Sequence, residues 1–150
     1  MQVIIGVDPH KASHTAVAID TSEAQLDHKR VRAARTQVDH LLEWSEPFPT
    51  RVWAIEGANG MGYLLAQQLV AAGEHVVNVP ATLASRTRLL GTGRTNKNDP
   101  NDAMSVAISA LRSTSLHPVR PVGHSEVLRL LAKRNRDIGA HRTRQVCRMH

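Results

Sequence analysis

A chain of 150 residues is about one domain, and with 41% hydrophobic and 21% charged residues and no low-complexity stretch it has the composition of a globular protein. No apolar run approaches the ~20 residues of a membrane span, the start lacks a signal-peptide pattern, and the single cysteine, Cys147, excludes an internal disulfide, so a cytoplasmic, non-membrane protein is expected. The formal charge of +6 is uneven: residues 1–83 carry six Lys/Arg against nine Asp/Glu and residues 84–150 carry thirteen against four, which points to polyphosphate binding by the second half, a solvated helix face being the plainer alternative.

Residues 2–7 read as a fully buried strand. A short turn at Asp8–Ser13 leads to a β-rich run at His14–Ile19, and Lys29–Ala33 alternates as an exposed third strand. Val38, Leu41, Leu42 and Ser45 mark one face of a short helix that Pro47 and Pro49 terminate. Arg51–Ile55 is a fourth strand, the segment Gly57–Gly62 a glycine-bearing turn, and Met61, Leu64, Leu65, Leu69 and Ala72 recur at helical spacing until Gly73. His75–Val79, closed by Pro80, is a fifth strand. Three consecutive strands followed by helix, strand, helix and strand imply an α/β fold with an antiparallel edge and a mostly parallel remainder.

Beyond Pro80 the signals weaken. Thr82–Asn98 is rich in Arg, Thr and Gly and is expected as a helix followed by a mobile loop. Asp99 is expected to cap a helix running to about Leu111, with Ala103, Ala107, Ala110 and Leu111 inward. The domain is therefore placed at residues 1–112, a linker holding Pro118 and Pro121 at 113–124, and a last basic helix at 125–150. That helix carries Arg129, Lys133, Arg134, Arg136, Arg142, Arg144 and Arg148 and has few apolar positions after Arg134, so it is expected to pair with another chain or to continue. With only four aromatic residues in the chain, its contacts to nucleic acid would be to backbone phosphates.

Four carboxylates carry the chemistry. Asp8 ends the first strand, Glu56 ends the fourth, and Asp99 and Asp102 stand three apart in Lys97-Asn98-Asp99-Pro100-Asn101-Asp102-Ala103. Each has a plain structural reading: Asp8 as a turn residue before Pro9, Glu56 as a strand-exit residue, Asp99 and Asp102 as the N-cap and N3 of a helix with Pro100 at N1. Together they occupy the strand ends and helix start where a shared site at a sheet edge draws its groups, and a carboxylate at a buried strand end needs compensation, usually a divalent cation. Convergence would make a site for hard metal ions and phosphodiester chemistry.

Other candidates are weaker. The nine histidines lack compact zinc-ligand spacing; His10 and His14 flank the first turn and read mainly as surface histidines. Lys11 and Lys97 adjoin proposed ligands, where an ammonium would hold a phosphate oxygen, and Arg94 lies in the same basic stretch as Lys97. Ser13 has no activating neighbour, the segment Gly57–Gly62 lacks the Lys-Ser/Thr ending of a P-loop, and Cys147 reads as an inert thiol.

The three segments Gly6-Val7-Asp8-Pro9-His10-Lys11, Ile55-Glu56-Gly57 through Gly60 and Gly62 to Tyr63, and Lys97 to Ala103 together resemble the DEDD insertion-sequence transposases. The resemblance covers about residues 2–112 and, from residue 118 on, the start of a coiled-coil helix. It implies an RNase H-like (RuvC-like) mixed sheet with flanking helices and a long C-terminal helix. It also implies Mg²⁺, with Mn²⁺ as substitute, at Asp8, Glu56, Asp99 and Asp102. DNA cleavage and strand transfer, a structured guide RNA encoded by the element, and homo-oligomers complete the implied picture. In that family a further C-terminal domain supplies a catalytic serine; its absence from these 150 residues leads to the expectation of a partial transposase, inactive alone. Rival readings are a RuvC-like Mg²⁺-dependent structure-specific nuclease and a non-catalytic dimerising nucleic-acid-binding module. An actin-like ATPase ranks lower, because Pro9-His10-Lys11-Ala12 offers no glycine for phosphate after Asp8.

Overall fold

The computed structural model describes residues 1–90 and 99–148, Asp99 by its backbone alone. The expected loop before Asp99, and with it Arg94 and Lys97, lies outside the described residues. Residues Met1–Arg120 form one compact unit and Pro121–His150 a second.

Five strands make one mixed sheet: β1 Val3–Pro9, β2 Ser13–Ile19, β3 Gln25–Arg32, β4 Arg51–Glu56 and β5 Val76–Val79, in the order β3-β2-β1-β4-β5. β1–β2 and β2–β3 are antiparallel, β1–β4 and β4–β5 parallel, so the antiparallel edge and parallel remainder expected from the sequence are present. The continuous apolar runs of β1 and β4 follow from burial on both faces. Val3, Ile5, Val7, Trp53 and Ile55 face a core built with helices α1 (Gln37–Ser45) and α2 (Tyr63–Ala71). Ile4, Ala54, Val17 and Ile19 face the other core, with α3 (Ala81–Leu90) and α4 (Asp99–Arg112). β3 is an exposed edge whose one buried residue is Val31, consistent with its charged sequence.

Boundaries moved by a few residues. β3 starts at Gln25 rather than Lys29, because pairing with β2 carries the strand through a polar stretch that alternation alone does not mark. On α4, Ala103, Val106 and Ala107 are buried, whereas Ala110 and Leu111 are half-buried at the rim of the second core. Within the stretch expected as linker, Asn78 N–H donates to His117 O, Val119 N–H donates to Val76 O and Pro118 bridges to Val77, so residues 117–119 lie along β5.

Beside the first core, Glu74 accepts from Arg51 Nε at 2.9 Å, Arg51 Nη2 at 2.6 Å and Trp53 Nε1 at 2.7 Å. Both charged side chains are 15% exposed. Glu74→Ala removes the counter-charge of Arg51, whose Nη1 keeps its bonds to Ser45 O and Phe48 O, and leaves the Trp53 indole N–H without its acceptor, so it is expected to cost about 2 kcal/mol in denaturant unfolding.

Candidate metal centre at the ends of the central strands

The sheet register brings the first two acids side by side. Val7 of β1 lies opposite Ile55 of β4 in a parallel pair, so Asp8 and Glu56 follow at adjacent strand ends. Strand alternation puts Asp8 on the face of Ile4 and Gly6, and Glu56 on the face of Ala54; that face carries α3 and α4.

Gly6 sets how close α4 comes. A methyl there would overlap the Ala103 carbonyl oxygen and the Ala107 amide nitrogen and stand 2.7 Å from Ala107 Cβ, inside the 3.0 Å that real Cβ contacts respect. Only a residue without a side chain lets the helix backbone lie on β1. With Ala103 seated against Gly6, its neighbour Asp102 is buried at 6% exposure, as Asp8 is at 8%. Gly62 does the same on the β4 side: a Cβ there would come within 2.6 Å of Ile55 Cγ2 and 3.2 Å of Pro9 Cγ.

The carboxylates share one electrostatic neighbourhood. Glu56 is pushed above the usual glutamate range, first by its burial, then by the negative charge of Asp8 and, to a smaller degree, of Asp102; Arg88 and His10 oppose the shift. His10 Nε2 stands 3.0 Å from Asp8 Oδ2. Arg88, from α3, stands with Nε 2.8 Å from Asp102 Oδ1. Neither of those two buried atoms finds hydrogen-bond alignment, so the Arg88–Asp102 contact is one of charge rather than of direction. Thr15, opposite Asp8 in the β1–β2 register and 2% exposed, holds its Oγ1 without a hydrogen-bond partner among the described residues.

Among the described residues no three His, Cys, Asp or Glu side chains stand close enough to hold one metal ion, and the side chain of Asp99 is outside them. Asp8 and Asp102 nonetheless both act on Glu56 electrostatically, with Arg88 and His10 as the opposing groups. Arg88 has no sequence signal pairing it with an acid fourteen residues on, beyond the need of a buried Asp102 for a cation.

The remaining candidates separate from this cluster. Ser13 Oγ accepts from Arg30 Nε at 3.2 Å and Nη2 at 3.1 Å, the environment of a structural hydroxyl. His14, expected at the surface, is instead 5% exposed, because β2 turns it towards the first core. Burial holds its imidazole below the usual histidine range against a bond to Gln37 that raises it; His10 lowers it further and Asp8 raises it. Arg129, Lys133, Arg134, Arg136, Arg142 and Arg144 lie on α5 (His124–Arg148), which buries no residue. Arg129 pairs with Glu126 on the same helix. Among the described residues no helix is long and apolar enough to cross a membrane.

The fold resembles that of solved RuvC structures. A Thermus thermophilus RuvC in complex with a Holliday junction substrate aligns at a TM-score of 0.60 and 16% identity, covering 79% of this chain and all of that one. A second Thermus thermophilus RuvC structure aligns at 0.58 and 18% identity, covering 78% and 99%. In sequence, the chain is 31% identical over 149 residues to the insertion element IS116 uncharacterized 44.8 kDa protein of Streptomyces clavuligerus, spanning 99% of this chain and 37% of that protein. It is 30% identical over 145 residues to the insertion element IS900 uncharacterized 42 kDa protein of Mycobacterium paratuberculosis, spanning 94% and 36%. The chain therefore spans little more than a third of these relatives' length. The family model DEDD_Tnp_IS110, described as Transposase, matches residues 5–150, and with its RuvC-like sheet the chain belongs to the DEDD transposases of insertion elements.

Proposed function

We propose that this chain is the part of an insertion-element transposase that binds a divalent metal and cuts DNA, with Asp8, Glu56, Asp99 and Asp102 as its ligands. The observation that carries this reading is the register that sets Asp8 and Glu56 at adjacent ends of β1 and β4, on the sheet face that carries α3 and α4; burial and the charges of Asp8 and Asp102 push Glu56 above the usual glutamate range, as in a place short of positive charge. The proposed donors are all carboxylate oxygens, the set that hard cations such as Mg²⁺ or Mn²⁺ prefer, and a bound ion would draw Asp8, Glu56 and Asp102 closer together than they stand without it. The metal, when bound, would supply Lewis-acid stabilisation of charge on a scissile phosphate. The chain's own residues would hold the strand: Lys11 in the turn between β1 and β2, Arg94 and Lys97 before Asp99 in sequence, and the row Arg129, Lys133, Arg134, Arg136, Arg142 and Arg144 on backbone phosphates. Completion by a serine-bearing domain, a structured guide RNA and oligomers paired through α5 as a coiled coil belong to the same proposal, as do cytoplasmic residence and inactivity of the chain alone. Its domains would be residues 1–112 and, past a linker at 113–124, a helical arm at 125–150.

A calorimetric titration of Mg²⁺ or Mn²⁺ into wild type and Glu56→Gln tests the site, with at least tenfold weaker binding expected for the variant, about 1.4 kcal/mol. Equal affinity in the two would count against the metal reading. The pH dependence has a fixed sign. A glutamate whose folded pKa is raised makes the folded state bind more protons than the unfolded one, so its ionisation lowers stability as pH rises from the ordinary glutamate range through the raised value. Glu56→Gln should therefore melt higher than wild type at pH 7.5 without metal, with the gain vanishing below about pH 4.

The fold likeness to a RuvC bound to a Holliday junction favours a second reading, metal-dependent nicking of branched DNA by the chain itself. Nicking of a four-way junction in Mg²⁺, lost in Asp8→Asn, would select it.

A further inference from the structure

At the ends of the strands a cleft of about 540 Å³ opens between the β1–β2 turn and β3. Its walls are His10, Lys11 and Ala12 of the turn, Ser13 at the start of β2, Arg30 of β3, and Met61. Lys11 and Arg30 bring positive charge to it, and among the described residues no carboxylate lines it. A concave surface of one sign of charge draws in an anion.

The register puts Ser13 and Arg30 on the acid side of the sheet. Asp8 lies opposite Thr15 on β2, and Thr15 lies opposite Arg30 on β3. Directly opposed residues share a face, so Asp8, Thr15 and Arg30 form a row across three strands, on the face that carries α3 and α4. Two strand spacings set the Cα atoms of Asp8 and Arg30 about 10 Å apart. The helices cover Val17 of β2, whereas Arg30 on the edge strand is exposed. Arg32, opposite Ser13, follows on the same face and is exposed too. His10 joins the two places, lining the cleft while its Nε2 stands 3.0 Å from Asp8 Oδ2.

Arg30 is anchored at this wall. Its Nε and Nη2 donate to Ser13 Oγ at 3.2 and 3.1 Å, and Ser13 is 9% exposed. A guanidinium presents its N–H donors in one plane, so both bonds to one buried oxygen fix that plane. An arginine ordered in this way loses less freedom on gripping a phosphate than a mobile side chain does. We propose that Arg30, set by Ser13 and joined by Lys11, grips one backbone phosphate of the DNA strand being cut, a neighbour of the phosphate at the acids. That this strand is the one being cut rests on the function proposed above. Arg30 binds and Ser13 positions; neither takes part in bond breaking, and a contact to phosphate alone carries no base sequence.

Fluorescence anisotropy of the whole chain with a short single-stranded oligodeoxynucleotide, in chelator and over a range of salt, tests this. Arg30→Gln should bind at least about fivefold more weakly at low salt, and the slope of log K against log salt should flatten by about 0.7, the counterions of one phosphate contact. Lys29→Gln is the control: the same charge is lost one residue away, opposite Ala16 on the face of the first core. It should stay within about twofold of wild type with the slope kept. Ser13→Ala retains every charge, so it should weaken binding about two- to threefold with the slope unchanged. Arg30→Gln no weaker than Lys29→Gln overturns the proposal, as does a loss seen with a matched oligoribonucleotide and not with DNA. Ser13→Ala at wild-type affinity overturns the positioning role. If Arg30→Gln shows the loss and Mg²⁺ titration shows no binding, the phosphate site stands and the metal reading alone falls.

Discussion

Gly6→Ala is expected to be among the most damaging single-methyl changes available to this chain, costing about 3 kcal/mol and lowering the melting midpoint by on the order of 10 °C. The added Cβ meets backbone, not a flexible side-chain end: the Ala103 carbonyl and the Ala107 amide both belong to α4. Relief requires the helix to lift from β1, which opens the second core around Val106 and Ala107 and carries Asp102 away from Asp8 and Glu56. Stability and metal affinity should therefore fall together. The internal control is Gly139→Ala on α5, where nothing lies within 4 Å of the new methyl; the same chemical change there should stabilise the helix by about 0.5–1 kcal/mol. Circular dichroism melts of both variants decide the matter: a Gly6→Ala midpoint within about 2 °C of wild type would mean that α4 does not rest on the strand as described.

Much of this arrangement was legible in the chain. The apolar runs of β1 and β4, ending in Asp8 and Glu56, are local patterns, and parallel pairing then places their ends together with little further information. The helix start at Asp99 is likewise local, with Pro100 in its first turn. What periodicity does not carry is which face a half-polar strand turns inward. His14 sits between Ser13 and Thr15 in a polar run, and only the pairing of Pro9 with His14 assigns it to the first core. Partners distant in sequence were hidden for the same reason. Arg88 reaches Asp102 because α3 packs on α4, and the weak pattern of Thr82–Leu90 gives no hint of that packing. The His14–Gln37–Gln68 chain joins three elements, none of which marks its polar residue as special.

Arg88→Gln should separate the structural from the chemical role of the acids. In the absence of metal, Arg88 is the cation that, among the described residues, faces Asp102, whose side chain is 9% exposed, and it also offsets the field that raises Glu56. Removing it takes away the guanidinium that pairs this buried carboxylate and acts on Glu56. Loss of one partner from a fully buried pair costs about 3–5 kcal/mol, and the Arg88 side chain is 32% exposed, so a loss of about 2 kcal/mol is expected in chelator. Two consequences follow if the cluster holds a metal ion. Saturating Mg²⁺ should return most of the lost stability, since a ligand bound only by the folded state stabilises it by mass action. Mg²⁺ should also bind the variant more tightly than wild type, because the competing guanidinium is gone. If Asp8, Glu56 and Asp102 serve only to anchor α3 and α4 to the strand ends, the variant is equally unstable with and without Mg²⁺. Thermal melts of Arg88→Gln in chelator and in Mg²⁺ then reject the metal centre while leaving the fold as described.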